Sequence, residues 1–90
     1  VQPEVFGLSD AYPNPFNPVT SFNYTISKDG MVNVSVYDVN GRIVSELMNG
    51  YQASGTYPLS WNAQQFSSGV YLVNMTTDSY STIQKIMLIK

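Results

Sequence analysis

Apolar and polar residues alternate with a period of two along most of this chain. Phe22, Tyr24 and Ile26 fall on one side of an extended backbone, and Ser21, Asn23 and Thr25 on the other, the pattern of a strand with one buried face. Val32, Val34 and Val36 repeat it against Asn33 and Ser35, and Tyr57, Leu59 and Trp61 do so a third time. The β-branched and aromatic residues at the apolar positions favour strand over helix. Turn signals interrupt the runs: "KDG" at 28–30, "DVNG" at 38–41, "NG" at 49–50, "SG" at 54–55, "SSG" at 67–69 and "TDSY" at 77–80. Turns spaced about 8 to 12 residues apart indicate an all-β sandwich or barrel. The pattern predicts seven strands, near 4–8, 20–27, 31–38, 42–48, 56–62, 69–76 and 81–89, with "AQQF" at 63–66 the one place for a helical turn.

The "DVNG" turn tests the register. A two-residue loop at Asn40 and Gly41 would set Val36 opposite Ser45 and Asp38 opposite Ile43, pairing apolar with polar side chains. A type I turn starting at Asp38, with Gly41 left-handed in a G1 bulge, sets Val36 opposite Val44 and Tyr37 opposite Ile43. The bulged hairpin is therefore expected, with Asp38 and Asn40 as turn residues rather than calcium ligands.

"SDAYPNPFNPVT" at 9–20 is a different kind of segment. Pro13, Pro15 and Pro18 fix φ, donate no amide hydrogen and push their predecessors toward extended backbone, so the stretch cannot sit in the middle of a sheet. It reads as a stiff connection between the first two strands. Tyr12 and Phe16 are expected to turn inward, with Asn14 and Asn17 bonding the local backbone.

Composition narrows the function. Ninety residues make one domain, 1–90, in which 1–11 form a first strand and lead-in. A chain that begins at Val1 without an apolar leader is expected to be a piece of a longer protein. No apolar run approaches the ~20 residues of a membrane span, so a soluble domain without membrane insertion is expected. The four cations, Lys28, Arg42, Lys85 and Lys90, are scattered in a chain of net charge −2, which argues against nucleic acid and anionic membranes. Without cysteine there is no disulfide or thiolate metal site; without histidine the usual general base and the commonest zinc ligand are missing. Six scattered Asp and Glu offer no acid–base pair on one strand face, so neither an enzyme, a metal nor a cofactor is expected. The 13% aromatic and 11% charged content, with Ser, Thr and Asn at the polar positions, suits a secreted β domain.

Four ordered blocks carry a resemblance. "YPNPFNPVTSFNYTI", "VNVSVYDVNGRIVSEL", "ASGTYPLSWNAQQFSSGVYLVNM" and the closing "QKIMLIK" together resemble the type A C-terminal sorting domain of the type IX secretion system over about 12–90. The resemblance implies an immunoglobulin-like antiparallel β-sandwich of about seven strands. It also implies an address found at the end of proteins exported by Bacteroidetes. Such an address is read by the outer-membrane translocon and its shuttle protein, and is commonly removed from its upstream cargo domain by a sortase-like protease. The cargo would pass through the periplasm to the cell surface or the medium. By position, the family's proline motif falls on Pro13, Asn14 and Pro15, its Gly-x-Tyr motif on Gly69, Val70 and Tyr71, and its terminal motif on Lys85, Ile86, Met87, Leu88, Ile89 and Lys90. The family often carries more basic residues at its end than these two lysines.

The residues themselves read differently in the three places. The proline block reads as scaffold first, and Gly69 as a strand start with Val70 or Tyr71 in the core. Residues 86–89 are apolar on both faces, so their strand is either central or offers an apolar face to a partner or a second copy. Weaker candidates are the sequons at Asn23, Asn33 and Asn74, all within expected strands, and a cation site at Asp10, Asn14 and Asn17. Tyr51, Phe66 and Tyr80 read as core rather than a sugar platform. The competing function is a passive accessory module, a carbohydrate-binding domain or a relative of the Ig-like domain of flagellar hook-capping proteins.

Overall fold

The strands form close to where the alternation places them, except that the fourth, expected over 42–48, runs on to Gln52: Asn49 and Gly50 make no turn because they pair with Asn33 and Val32 in an unbroken stretch of ladder. In the computed structural model, which describes residues 7–78 and 80–89, the strands are β1 (Gly7–Leu8), β2 (Val19–Ile26), β3 (Gly30–Tyr37), β4 (Ile43–Gln52), β5 (Gly55–Asn62), β6 (Gly69–Thr77) and β7 (Ser81–Leu88). Two antiparallel sheets result, in the orders β1–β2–β5 and β4–β3–β6–β7. Compared with an immunoglobulin constant domain, the fourth strand has moved to the other sheet. The start of the expected first strand lies outside the described residues.

The core fills the space between the sheets. Phe22, Tyr24 and Ile26 of β2 and Trp61 of β5 face Val32, Val34 and Val36 of β3, Tyr71, Val73 and Met75 of β6, and Ile86 and Leu88 of β7, all buried. One end is closed by rings. Trp61 lies 5.7 Å from Phe16, 5.5 Å from Phe66 and 5.2 Å from Tyr71, tilted or edge-on as aromatic quadrupoles prefer. "AQQF" is a β-turn, closed by the Phe66 N–H on the Ala63 carbonyl at 2.9 Å, and it drops Phe66 onto Trp61; no helix occurs among the described residues.

The β3–β4 hairpin corrects one expected pairing. The turn is as predicted: Gly41 has φ +84°, its N–H reaches the Asp38 carbonyl at 3.1 Å, and Tyr37 lies opposite Ile43. Val36, however, lies opposite Ser45 rather than Val44, because β4 uses ten residues against the eight of β3 and departs from even pairing twice, leaving Val44 and Leu47 as the extra residues. An even ladder that put Val44 inside would also have put Glu46 inside. The bulges turn Glu46 out, where its carboxylate accepts from Asn33 Nδ2 at 3.2 Å, and let Val44, Leu47 and Met48 all pack on the core.

Asp38 holds the turn through its carboxylate. The backbone N–H of Arg42, aided by that of Asn40 and by the Arg42 guanidinium, keeps its carboxyl below the ordinary value against partial desolvation. A depressed folded-state pKa means that this stabilisation is complete above the range of a free aspartate and is lost as pH falls through the lower, folded value. An NMR titration of the Asn40 and Arg42 amides should therefore give a midpoint below about 3.9, that of an unperturbed aspartate; a midpoint at or above it would contradict this role.

Candidate recognition surface

The three sequence blocks meet at one end of the sandwich. β6 and β7 pair Gly69 with Leu88, Val70 with Met87 and Tyr71 with Ile86, so the Gly-x-Tyr block and the last block are neighbouring strands. Phe16, at the end of the proline block, forms a parallel bridge to Leu88.

The proline segment laces the outer edge of β7. The Phe16 N–H donates to the Met87 carbonyl at 2.9 Å, and the Ile89 N–H donates to the Phe16 carbonyl at 3.0 Å. Asn14 completes the row: its Oδ1 accepts from the Met87 N–H at 3.0 Å and its Nδ2 donates to the Lys85 carbonyl at 3.4 Å. The carboxamide thus does for β7 what the peptide group of a neighbouring strand would do. Further along, Gln84 accepts from the Ala11 N–H and donates to the Ser9 carbonyl, each at 2.7 Å. On the other side the fully buried Thr20 hydroxyl donates to the Pro13 carbonyl at 2.8 Å, and the Ala63 N–H to the Pro18 carbonyl at 2.8 Å. Both sheets are tied to one connection.

Three expectations about this segment change. Phe16 is buried as predicted, but Tyr12 is 81% exposed, because it bridges Ser21 at the edge of β2 and points away from the core. Asn14 bonds a strand far along the chain rather than its own backbone, and Asn17 is exposed. With the Asn14 oxygen given to Met87, the suggested cation site loses a ligand; no cluster of three metal-binding side chains occurs among the described residues.

Strand alternation divides the other two blocks. Tyr71, Ile86 and Leu88 are buried, whereas Lys85, Met87 and Ile89 are exposed and Val70 is half-buried on the outer face. The last strand is neither central nor apolar throughout in effect: it is an edge strand with one face in the core and one in solvent. Gly69 opens β6 at φ +154°, a backbone region essentially reserved for glycine. A Cβ there would meet no atom within 4 Å, so conformation and not crowding selects glycine. Lys90 lies outside the described residues.

Sequence reasoning missed Gln84 and Thr20. A signal existed for Gln84, which shares the inward parity of Ile86 and Leu88 and so had to find polar partners. Of the weaker candidates, Phe66 packs on the core, Tyr51 is 67% exposed, and Asn23, Asn33 and Asn74 all lie within strands.

Two substitutions test the geometry. Asn14→Ala should speed hydrogen exchange at the Met87 amide by about tenfold or more while Ile86, paired to β6, stays protected; equal protection at Met87 would show that Asn14 holds nothing. Gly69→Ala should lower stability by about 1–3 kcal/mol in denaturant unfolding, and an unchanged midpoint would remove the conformational argument.

Comparison with known proteins agrees with this architecture. The model of the secretion system C-terminal sorting domain family matches residues 10–90. No curated protein matches the chain. Among solved structures, the crystal structure of dimeric latent PorU from Porphyromonas gingivalis superposes with a TM-score of 0.72 at 21% identity, over 99% of this chain and 10% of that one. At that identity the likeness is one of fold, and the chain spans about a tenth of PorU. The match over 10–90, with its motif blocks gathered at one end of an all-β sandwich, places this chain in the type IX secretion C-terminal sorting domain family.

Proposed function

We propose that the domain directs an attached cargo through the type IX system across the outer membrane, by protein–protein recognition of its folded surface. The family match over 10–90 carries this reading. The sequence supports the division of labour: with no His or Cys and no metal-binding cluster among the described residues, the chain offers binding surface rather than reactive groups. In this reading the translocon and its shuttle protein meet the domain in the periplasm. A sortase-like protease then separates it from the upstream cargo, which reaches the cell surface or the medium.

In this reading the residues of the three blocks do different work. Gly69, Tyr71, Ile86 and Leu88 build the corner, Asn14 holds its edge from between Pro13 and Pro15, and Val70, Lys85, Met87 and Ile89 are the side chains a partner can touch.

A reporter carrying an export signal and residues 1–90, produced in a bacterium with the type IX system, should reach the cell surface. The same reporter without the domain should stay in the periplasm; equal delivery of the two would refute the sorting role. Replacing Pro13 and Pro15 with Ala separates scaffold from contact. Export falling in step with melting temperature marks a scaffold, and lost export at unchanged stability marks a surface read directly.

A further inference from the structure

The outer face of the four-stranded sheet is banded. The strand register sets side chains in rows across it: Val70 beside Met87, then Ile43, Tyr37, Leu72 and Lys85, then Glu46, Ser35, Asn74 and Ile83, then Asn49, Asn33, Thr76 and Ser81, and at the far end the exposed pair Tyr51 and Met31, which the polar rows separate from the first two. Apart from the exposed Ile83, the third and fourth rows are polar and bonded among themselves, Asn33 to Glu46 at 3.2 Å, Ser35 to Asn33 at 2.7 Å and Thr76 to Asn74 at 3.3 Å. The two rows at the Gly69 end are otherwise. Ile43 is 54% and Met87 39% exposed, Tyr37, Val70 and Leu72 are half-buried, and the one charge among them is the Lys85 ammonium. Apolar residues gathered on one face, outside the core, mark an interaction surface.

We propose that this half-face, made of Tyr37, Ile43, Val70, Leu72, Lys85 and Met87, is where a protein of the secretion apparatus docks, presenting an apolar patch that contains a carboxylate. The inference rests on the sorting role proposed above and extends the surface onto β3 and β4, beyond the family's three blocks.

Two features select that occupant. The edge of β7 beside the patch is closed, because the Lys85 carbonyl, both Met87 groups and the Ile89 N–H are already bonded to Asn14 and Phe16. A partner therefore meets side chains and cannot add a strand there. The second feature is charge. The only ion pair among the described residues joins Arg42 to Asp38 in the turn, and Glu46, the carboxylate on this face, sits on the opposite edge strand and is bonded to Asn33. Lys85 thus has no counter-charge within the sheet. A second copy packed face to face would enclose two lysines and no carboxylate between the patches as water left the interface, whereas a partner carboxylate would complete the patch.

Ile43→Asp and Lys85→Glu, made in the reporter fusion, should each cut surface delivery by about tenfold, as loss of a central anchor does. Asn49→Asp, in the polar band of the same strand, should leave delivery unchanged, and all three purified domains should melt like the parent. Tyr37→Ser replaces Ile43→Asp if that variant does not fold. A photo-cross-linking residue at position 43, but not at 49, should attach to an identified component of the export apparatus. Full delivery of Ile43→Asp and Lys85→Glu would overturn the docking surface while leaving the sorting role intact. Delivery of the reporter lacking the domain would instead refute the sorting role. Cross-linking to another copy of the domain would overturn the choice of partner.

Discussion

The bonds between the proline segment and the outer edge of β7 are the constraint on which the rest of this structure depends. A sandwich of two open sheets has edges, and an edge offers unpaired amides and carbonyls to any passing chain. Here Asn14 and Phe16 occupy those groups along residues 85–89, while Gln84 gathers the backbone at Ser9 and Ala11. Three prolines make this possible by keeping the segment out of the ladder of either sheet, so that its side chains and remaining amides reach both. The same segment delivers Phe16 to Trp61, so edge closure and core packing at this end are one arrangement.

The other edges are blunted by other means. β4 departs twice from regular pairing, and β5 carries Pro58, which has no amide to offer. What stays open to a partner is side-chain surface, concentrated where the sequence blocks converge. Residues of the Gly-x-Tyr and last blocks alternate between core and solvent because each block lies on a strand with one buried face.

Much of this was legible in the residues. The alternations through 21–26, 32–36 and 57–61 located the strands and their inner faces, and Gly41 located the bulged turn, because period and turn chemistry are local properties. Glu46 was also informative, since a carboxylate with core parity announces a shifted register, but the two bulges that turn it outward depend on both faces of the sheet together. Tyr12 and Asn14 were misread for a different reason. Local rules give asparagine its own backbone as partner and send an aromatic inward, and nothing near residue 14 reveals that β7 will lie beside it.

That separation bears on how the domain comes into being. The Asn14–Met87 bond spans 73 positions of sequence, so the closing contact has no local precursor and waits on nearly the whole domain. Before residues 85–89 are made, Phe16 lacks its bridge, Asn14 has nothing to hold, and β6 carries a bare flank. A chain that stops early is therefore left with an unfinished edge rather than a smaller version of the same surface. The surface is complete only once residues from both ends of the domain are present and joined.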